Sequence, residues 1–169
     1  TLTHVDSTVE FYPSKGIANI ELQYSLSNQT LEPISTILVG RHGNYTSWAI
    51  IENSAFDVIE DHYSQQKIIQ LRQPLLPSEQ MILSMDVDYK QPSYWPVNSS
   101  LVVKSTYTNV LSESFLPRVG YQKNFETLDG SLRKKKNLGQ ASLLNTQNTK
   151  VAFSTTIGTS KNHIPVSQG

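Results

Sequence analysis

The stretch I-E-L-Q-Y-S-L at residues 20–26 decides the fold class, because apolar and polar residues alternate along its whole length. Alternation with a period of two places the apolar side chains on one face of a β-strand and the polar ones on the other. Residues 5–11 alternate in the same way, and the segment between the two runs, P-S-K-G at 13–16, has the composition of a turn. Residues 83–89 alternate equally clearly. These segments predict long strands, the first two of them joined as a hairpin.

Shorter apolar runs bounded by turn residues continue this pattern along most of the chain. Further strands are predicted at residues 34–39, 48–51, 56–59, 67–71, 101–107, 110–115 and 150–157. At most one short helix is expected, near residues 126–137, where Leu128 and Leu132 are four positions apart and Gly139 follows as a stop signal. Many short strands with almost no helix predict an all-β, two-sheet sandwich. We expect residues 1–169 to be a single domain excised from a longer chain.

The overall composition narrows the classes of function. The 169 residues include 14 basic and 14 acidic side chains, so the formal net charge is zero and there is no general attraction to nucleic acid. The absence of cysteine excludes disulfides, thiolate metal sites and cysteine nucleophiles. No run approaches the ~20 apolar residues of a membrane helix, so direct membrane insertion is not expected.

The motifs of the common hydrolases and nucleotide-binding proteins are missing. A zinc peptidase needs the H-E-x-x-H spacing, but the four histidines, at positions 4, 42, 62 and 163, are all more than four residues apart. Neither a G-x-S-x-G elbow nor a glycine-rich phosphate loop is present. A composite metal site of Asp57, Glu60, Asp61 and His62 is conceivable, but a solvated acidic turn between strands is favoured. We therefore predict no catalytic residue and no metal ligand in this chain.

Two groups of residues are candidates for surface contacts. Arg133, Lys134, Lys135 and Lys136 form a basic patch that suits phosphate groups or a membrane surface, although such a run is more often a solvated helix face. Tyr94 and Trp95, together with Tyr45 and Trp48, are candidates for an aromatic platform for sugar or peptide, against the commoner use of such residues in packing.

Three N-x-S/T triplets begin at Asn28, Asn44 and Asn98. A chain this rich in asparagine, serine and threonine produces such triplets by chance, so they do not indicate glycosylation.

Several motifs follow one another in an order that resembles a known family. They are V-E-F-Y-P at 9–13, L-Q-Y-S-L-S-N-Q-T at 22–30, P-I at 33–34, F-L-P-R-V-G-Y-Q at 115–122, L-D at 128–129, R-K-K-K-N-L-G at 133–139, K-V-A-F at 150–153 and P-V-S-Q-G at 165–169. Together they resemble the N-terminal domain of M1-type zinc aminopeptidases, and most nearly the bacterial M1-like domains fused to ABC-type permeases. The N-L-G order at 137–139 and the sequence at 163–166 depart from the pattern of the fused subgroup. The F-P-C-x-D-E-P signature of the wider family is missing, as it also is from that subgroup.

The resemblance implies a noncatalytic β-sandwich that packs beside a thermolysin-like catalytic domain and helps to wall the substrate cleft. The zinc ligands of such enzymes lie later in the chain, so zinc is expected in the catalytic domain of the parent protein and not here. The resemblance further implies a peptide substrate and a membrane-linked parent, with this domain soluble and extracytoplasmic. Gln122 is the residue that it places near the free amine of the substrate, although an ordinary turn or packing role is the simpler interpretation.

Two alternative functions remain open at this stage. The chain could be a free-standing peptide- or carbohydrate-binding adhesion module that uses Tyr94 and Trp95, or an enzyme whose site has no sequence signature. A domain of a larger peptidase predicts an exposed apolar patch. A binding module predicts a concave aromatic cleft, and an enzyme predicts titratable groups with shifted pKa values gathered in one pocket.

Overall fold

The computed structural model describes residues 1–40, 46–61, 66–92, 101–105, 108–110, 116–120, 129–135, 137 and 150–166. In chain order the elements are β1 (Leu2–Tyr12), a 3-10 turn (Pro13–Lys15), β2 (Ile17–Ser27), β3 (Ile34–Gly40), β4 (Ser47–Ile50), β5 (Phe56–Asp61), β6 (Gln66–Leu75), β7 (Gln80–Lys90), β8 (Leu101–Val103), β9 (Thr108–Val110), β10 (Arg118–Val119), α1 (Gly130–Lys135) and β11 (Ala152–Gly158).

Two main sheets enclose the hydrophobic core. The five-stranded sheet has the order β11-β1-β2-β7-β4, the four-stranded sheet has the order β10-β3-β6-β5, and β8 and β9 form a separate small pair. One contiguous cluster of buried side chains draws on both main sheets, for example Leu22 and Met85 from the larger one and Phe56 and Ile69 from the smaller one. The predicted all-β, two-sheet sandwich with one short helix is therefore confirmed.

The alternating segments form the centre of the five-stranded sheet. Gly16 closes the turn between β1 and β2 with a left-handed φ of 64°, a conformation that glycine adopts at low cost. β2 then pairs with β7 in one antiparallel register from Ile17 opposite Lys90 to Ser27 opposite Gln80. The inward residues at positions 20, 22 and 24 and at 83, 85 and 87 are at most 1% exposed. The period-two pattern thus identifies the buried face correctly.

The last described strand lies beside the first. β11 pairs with β1 in parallel, with Val5 opposite Phe153 and Val9 opposite Ile157. Side chains reinforce the pairing on the outer face, because the Ser154 hydroxyl donates a 2.6 Å hydrogen bond to the Asp6 carboxylate. The sequence predicts the strand but not its neighbour.

Two strand predictions need correction, and one strand of the structure has no prediction. β6 continues through Pro74 to Leu75, beyond the predicted end at residue 71. The register between β3 and β6 shifts within this extension, and proline is tolerated in such an irregularity. β8 ends at Val103, earlier than the predicted 107, and residues 111–115 of the following predicted strand lie outside the described residues. The two-residue strand β10 has no sequence prediction at all.

The helix is shorter than the predicted 126–137. Asp129 caps its start, since its carboxylate accepts hydrogen bonds of 2.8 Å from the Ser131 amide and 3.2 Å from the Leu132 amide. The helix ends at Lys135, and Asn137, with φ 53°, adopts the left-handed conformation that the sequence assigns to Gly139. Residues 126–128 and Gly139 itself lie outside the described part of the chain.

Asn28 connects the two sheets just after β2 ends. Its side chain is fully buried; the amide nitrogen donates 2.8 Å hydrogen bonds to the carbonyls of Glu32 and Leu75, and the amide oxygen accepts from the Thr30 amide and hydroxyl. The amide nitrogen of the triplet at residues 28–30 is therefore buried and twice hydrogen-bonded in the folded domain.

Candidate functional site

An apolar row crosses the outer face of the four-stranded sheet. Leu38 on β3 lies opposite Ile68 on β6, which in turn lies opposite Ile59 on β5. Each of these residues precedes or follows a core residue in its strand, so the three side chains point away from the core. Ile59 is 53% exposed, and the other two are partly exposed. We call Leu38, Ile59 and Ile68 the apolar row.

Polar pairs border the apolar row on one side. Thr36 lies opposite Gln70, and their side chains are within 3.2 Å. Asp57 lies on the same face and forms an ion pair with Arg72, with 2.7 Å between Oδ1 and Nη2. An apolar strip bordered by hydrogen-bonding groups is the arrangement found in surfaces that contact another protein domain.

The outer face of the five-stranded sheet has the opposite character. Its polar residues are His4, Asp6, Thr8, Glu10, Asn19, Glu21, Gln23, Ser84, Asp86 and Asp88. Its exposed large apolar side chains, Ile82 and Tyr12, lie at opposite ends of the face and do not form a row. Of the two described outer faces, the four-stranded sheet therefore offers the apolar one.

The L-P-R-V-G segment is held at the edge of this same sheet. The Tyr24 hydroxyl donates a buried 2.8 Å hydrogen bond to the Pro117 carbonyl, which ties the segment to the core of the opposite sheet. Two residues later Val119 pairs with β3, and the Gly120 amide donates a 2.7 Å hydrogen bond to the Leu38 carbonyl. Gly120 has φ 91°, so a residue with a side chain would be strained there.

This anchor gives a first prediction. Tyr24→Phe is expected to destabilise the domain by about 1 kcal/mol, because it removes one buried hydrogen bond and leaves the Pro117 carbonyl unpaired. Amide hydrogen exchange at Gly120 should become faster in the variant, while exchange in the centre of β2 changes only with global stability. Unchanged exchange at Gly120 would mean that Tyr24 does not hold the segment.

Two acidic residues of β5 are paired with basic side chains. Asp57 contacts Arg72, and Glu60 contacts Lys67 with 2.6 Å between Oε1 and Nζ. The hydrogen bonds from Arg72 lower the pKa of Asp57 below its ordinary value. Within the described residues no three His, Asp or Glu side chains converge on one point; the Asp61 side chain and His62 lie outside them. Asp57, Glu60 and Asp61 lie within strand β5, so these residues do not form the acidic turn that the sequence favours.

The hydrogen-bonded and ion-paired carboxylates should make the stability of the fold depend on pH in the acid range. The pKa of Asp6 is also lowered, first by the hydrogen bond from Ser154 and then by His4. A carboxylate with a lowered folded-state pKa stabilises the fold fully above its unfolded pKa of about 4, and this contribution is lost as the pH falls through the folded-state pKa. As the pH is lowered, the melting temperature of Asp57→Asn should therefore fall less steeply than that of the unsubstituted chain. An acid limb identical to that of the unsubstituted chain would contradict the role of the Asp57–Arg72 pair.

The structure gives partial information on the residues that the sequence singles out. Arg133, Lys134 and Lys135 lie on α1, and a role for the basic patch stays a prediction. Gln122, Tyr94, Trp95, Tyr45 and Lys136 lie outside the described residues. Trp48 packs against the core, and Lys67 Nζ lies 4.8 Å from its ring centroid, as the packing interpretation expects.

Two of the depressions on the described surface are partly open to solvent. The residues around the first are Asp6, Ser7, Thr8, Glu21, Gln23, Ser154, Thr155 and Thr156. Those around the second are Ser54, Ala55, Leu71, Arg72, Gln73, Pro74, Leu75, Glu79 and Met81. Neither contains an aromatic side chain, so neither is the aromatic cleft expected of a sugar- or peptide-binding module. Asp6 and Asp57, the carboxyls with lowered pKa values, lie on different sheets and do not share a pocket.

Part of the chain is structurally similar to solved proteins. The chain is structurally similar to part of an M1 zinc metallopeptidase from Deinococcus radiodurans, with 17% identity and a TM-score of 0.47 over 69% of this chain and 28% of that one. A mutant of the same source, bound to a Tyr-Ser-Ala substrate, matches with 15% identity and a TM-score of 0.46 over the same shares. A mutant two-domain M1 zinc metallopeptidase bound to L-tryptophan gives the same values.

The chain thus spans 28% of the length of these solved metallopeptidases. No protein-family model and no curated protein matches it. Neither of the described helical segments has the length and apolar character needed to cross a bilayer.

Proposed function

We propose that the chain is a noncatalytic β-sandwich domain of an M1-like zinc aminopeptidase, and that it packs against the catalytic domain through the outer face of the four-stranded sheet. The zinc ion and the catalytic residues belong to that second domain. The motifs at residues 9–13, 22–34, 115–122 and 150–153, in this order along the sequence, support the family. The two-sheet sandwich supports the position within it.

The observation that carries the proposal is the apolar row. Leu38, Ile59 and Ile68 lie side by side on three neighbouring strands, whereas the outer face of the other sheet is polar. Covering the exposed half of Ile59 alone contributes on the order of 1 kcal/mol to an interface. A matching apolar surface on the catalytic domain would remove all three side chains from water together.

The proposal also places this face next to the substrate cleft. The L-P-R-V-G segment borders β3, the strand that carries Leu38, and Gln122 follows two residues after Gly120 in the sequence. We place Gln122 at the wall of the cleft, where its amide would meet the free amine of a peptide. The parent enzyme is proposed to be membrane-linked, with this domain on the extracytoplasmic side.

The test begins with the parent open reading frame beyond Gly169. An H-E-x-x-H motif with a downstream glutamate is expected within the next few hundred residues, and its absence would contradict the proposal. The purified 169-residue chain alone should show no aminopeptidase activity.

A variant pair then tests the packing face in the full-length enzyme. Ile59→Lys places a charge in the proposed interface and should reduce kcat/KM and lower the melting temperature of the catalytic domain. Ile82→Lys is the matched control, since Ile82 is 60% exposed on the outer face of the five-stranded sheet. Equal changes in kcat/KM and in melting temperature for the two variants would show that the four-stranded sheet is not the interface.

A further inference from the structure

β11 is an unusual edge strand. Within the described part of the chain it pairs with β1 alone, and its seven residues, A-F-S-T-T-I-G, include neither a charged residue nor a proline. Proteins normally prevent exposed edge strands from pairing with other chains by means of charges, prolines or very short strands. The other edges follow this rule: β4 is four residues long, and β5 carries Asp57, Glu60 and Asp61. β11 lacks these protections.

The open backbone groups of β11 can be assigned from its pairing. The Ser154 carbonyl points toward β1, where it accepts a hydrogen bond from the Ser7 hydroxyl. In a strand, alternate residues direct their N–H and C=O groups to the same side. Phe153, Thr155 and Ile157 therefore direct theirs outward, away from β1.

We propose that β11 pairs in antiparallel fashion with β11 of a second copy of this chain, with Thr155 opposite its own symmetry mate. Thr155 is the midpoint of the strand, so a two-fold axis through it places Phe153 opposite the partner's Ile157. Every outward N–H and C=O of these residues then meets a partner group. The two five-stranded sheets join into one continuous sheet across the axis.

The side chains of β11 complement themselves in this register. Phe153 faces the core side of the sheet, as its partner Val5 does, yet it is 45% exposed. Pairing places it against the partner's Ile157, and apolar cross-strand pairs of this kind are favourable. On the other face Ser154 lies opposite the partner's Thr156, so only hydroxyl groups meet. Because β11 carries no charge, no like charges oppose each other across the axis.

The proposed contact is small, so the dimer should be weak and depend on concentration. A seven-residue strand pair covers less than the ~1,200 Å² of a standard stable interface. The inference does not rest on the proposed peptidase function, because it concerns the edge of the five-stranded sheet and is tested on the 169-residue chain itself.

Sedimentation velocity over a range of concentrations is the first test. The average mass should rise toward that of a dimer with increasing concentration. Thr155→Pro removes the central outward N–H and leaves the ladder to β1 intact, so it should remain monomeric at concentrations where the unsubstituted chain associates. Circular dichroism establishes that the variant is folded. A monomer throughout for the unsubstituted chain, or undiminished association of folded Thr155→Pro, would overturn the proposal.

Disulfide crosslinking tests the register and does not depend on the proline variant. The chain contains no cysteine, so Thr155→Cys introduces a single thiol. In the proposed dimer this thiol faces its own mate at a Cα separation of ~5.5 Å, whereas in Thr156→Cys the two thiols lie on a diagonal with Cα atoms ~7–8 Å apart. Oxidised dimers should form at least about tenfold faster for Thr155→Cys than for Thr156→Cys. Equal rates would contradict the pairing.

Discussion

Phe56→Ala is expected to destabilise the domain by about 3–5 kcal/mol. Phe56 is the first residue of β5, is 1% exposed, and lies on the inner face opposite Leu71. Its removal takes a large apolar side chain out of the core between the two sheets and leaves a cavity that a sheet scaffold cannot easily close. Since domains of this size are stable by only about 5–15 kcal/mol, the variant should unfold at a much lower urea concentration with an unchanged m-value.

Ile59→Ala provides the matched control on the same strand. Ile59 is three residues further on, points to the opposite face and is 53% exposed, so its truncation should cost less than about 1 kcal/mol. If both variants lost similar free energies of unfolding in urea, β5 would not have a buried inner face and an exposed outer face in the isolated domain.

Asn28→Ala is expected to cost about 2–4 kcal/mol, the second largest effect. The substitution removes four side-chain hydrogen bonds at a site with no solvent access, and it leaves the carbonyls of Glu32 and Leu75 without this donor. The connection between β2 and the four-stranded sheet depends on these bonds. The free energy of unfolding from urea titration measures the loss.

Asn19→Ala, in strand β2 itself, is the comparison for Asn28→Ala. Asn19 also uses its side-chain amide, donating a 2.7 Å hydrogen bond to Asp88, but this bond is exposed to solvent. Water replaces the lost partner there, so the expected cost is below about 1 kcal/mol. A loss at Asn28 no larger than that at Asn19 would mean that the buried amide is not essential to the sandwich.

The apolar row has a signature in the sequence, but the prediction of strands from alternating residues does not use it. Leu38-Val39, Val58-Ile59 and Ile68-Ile69 are pairs of adjacent apolar residues, one in each of three neighbouring strands. Adjacent residues of a strand point to opposite faces, so such pairs indicate a sheet covered on both sides. Alignment of the pairs into one row requires the register, which is a property of the folded sheet.

Other features could not be predicted for physical reasons. The parallel pairing of β1 with β11 joins residues 148 positions apart, and alternation within each strand is equally compatible with several neighbours. β10 is two residues long and is specified by its contacts with β3 and Tyr24, not by its own pattern. Asn28 looks like a turn residue in the sequence, and its Thr30 partner is consistent with that, but its burial depends on the distant Leu75.

The long-range pairing of the first and last strands also affects how the domain forms during synthesis on the ribosome. Antiparallel hairpins such as β1 with β2 involve residues close in sequence, so they can assemble as soon as they leave the exit tunnel. The outer edge of β1 cannot receive β11 until residues 152–158 have been translated. At elongation rates of about 5–20 residues per second, β1 therefore waits for roughly 7–30 seconds with that edge open, and we expect this interval to be the time at which the nascent domain most needs chaperone protection.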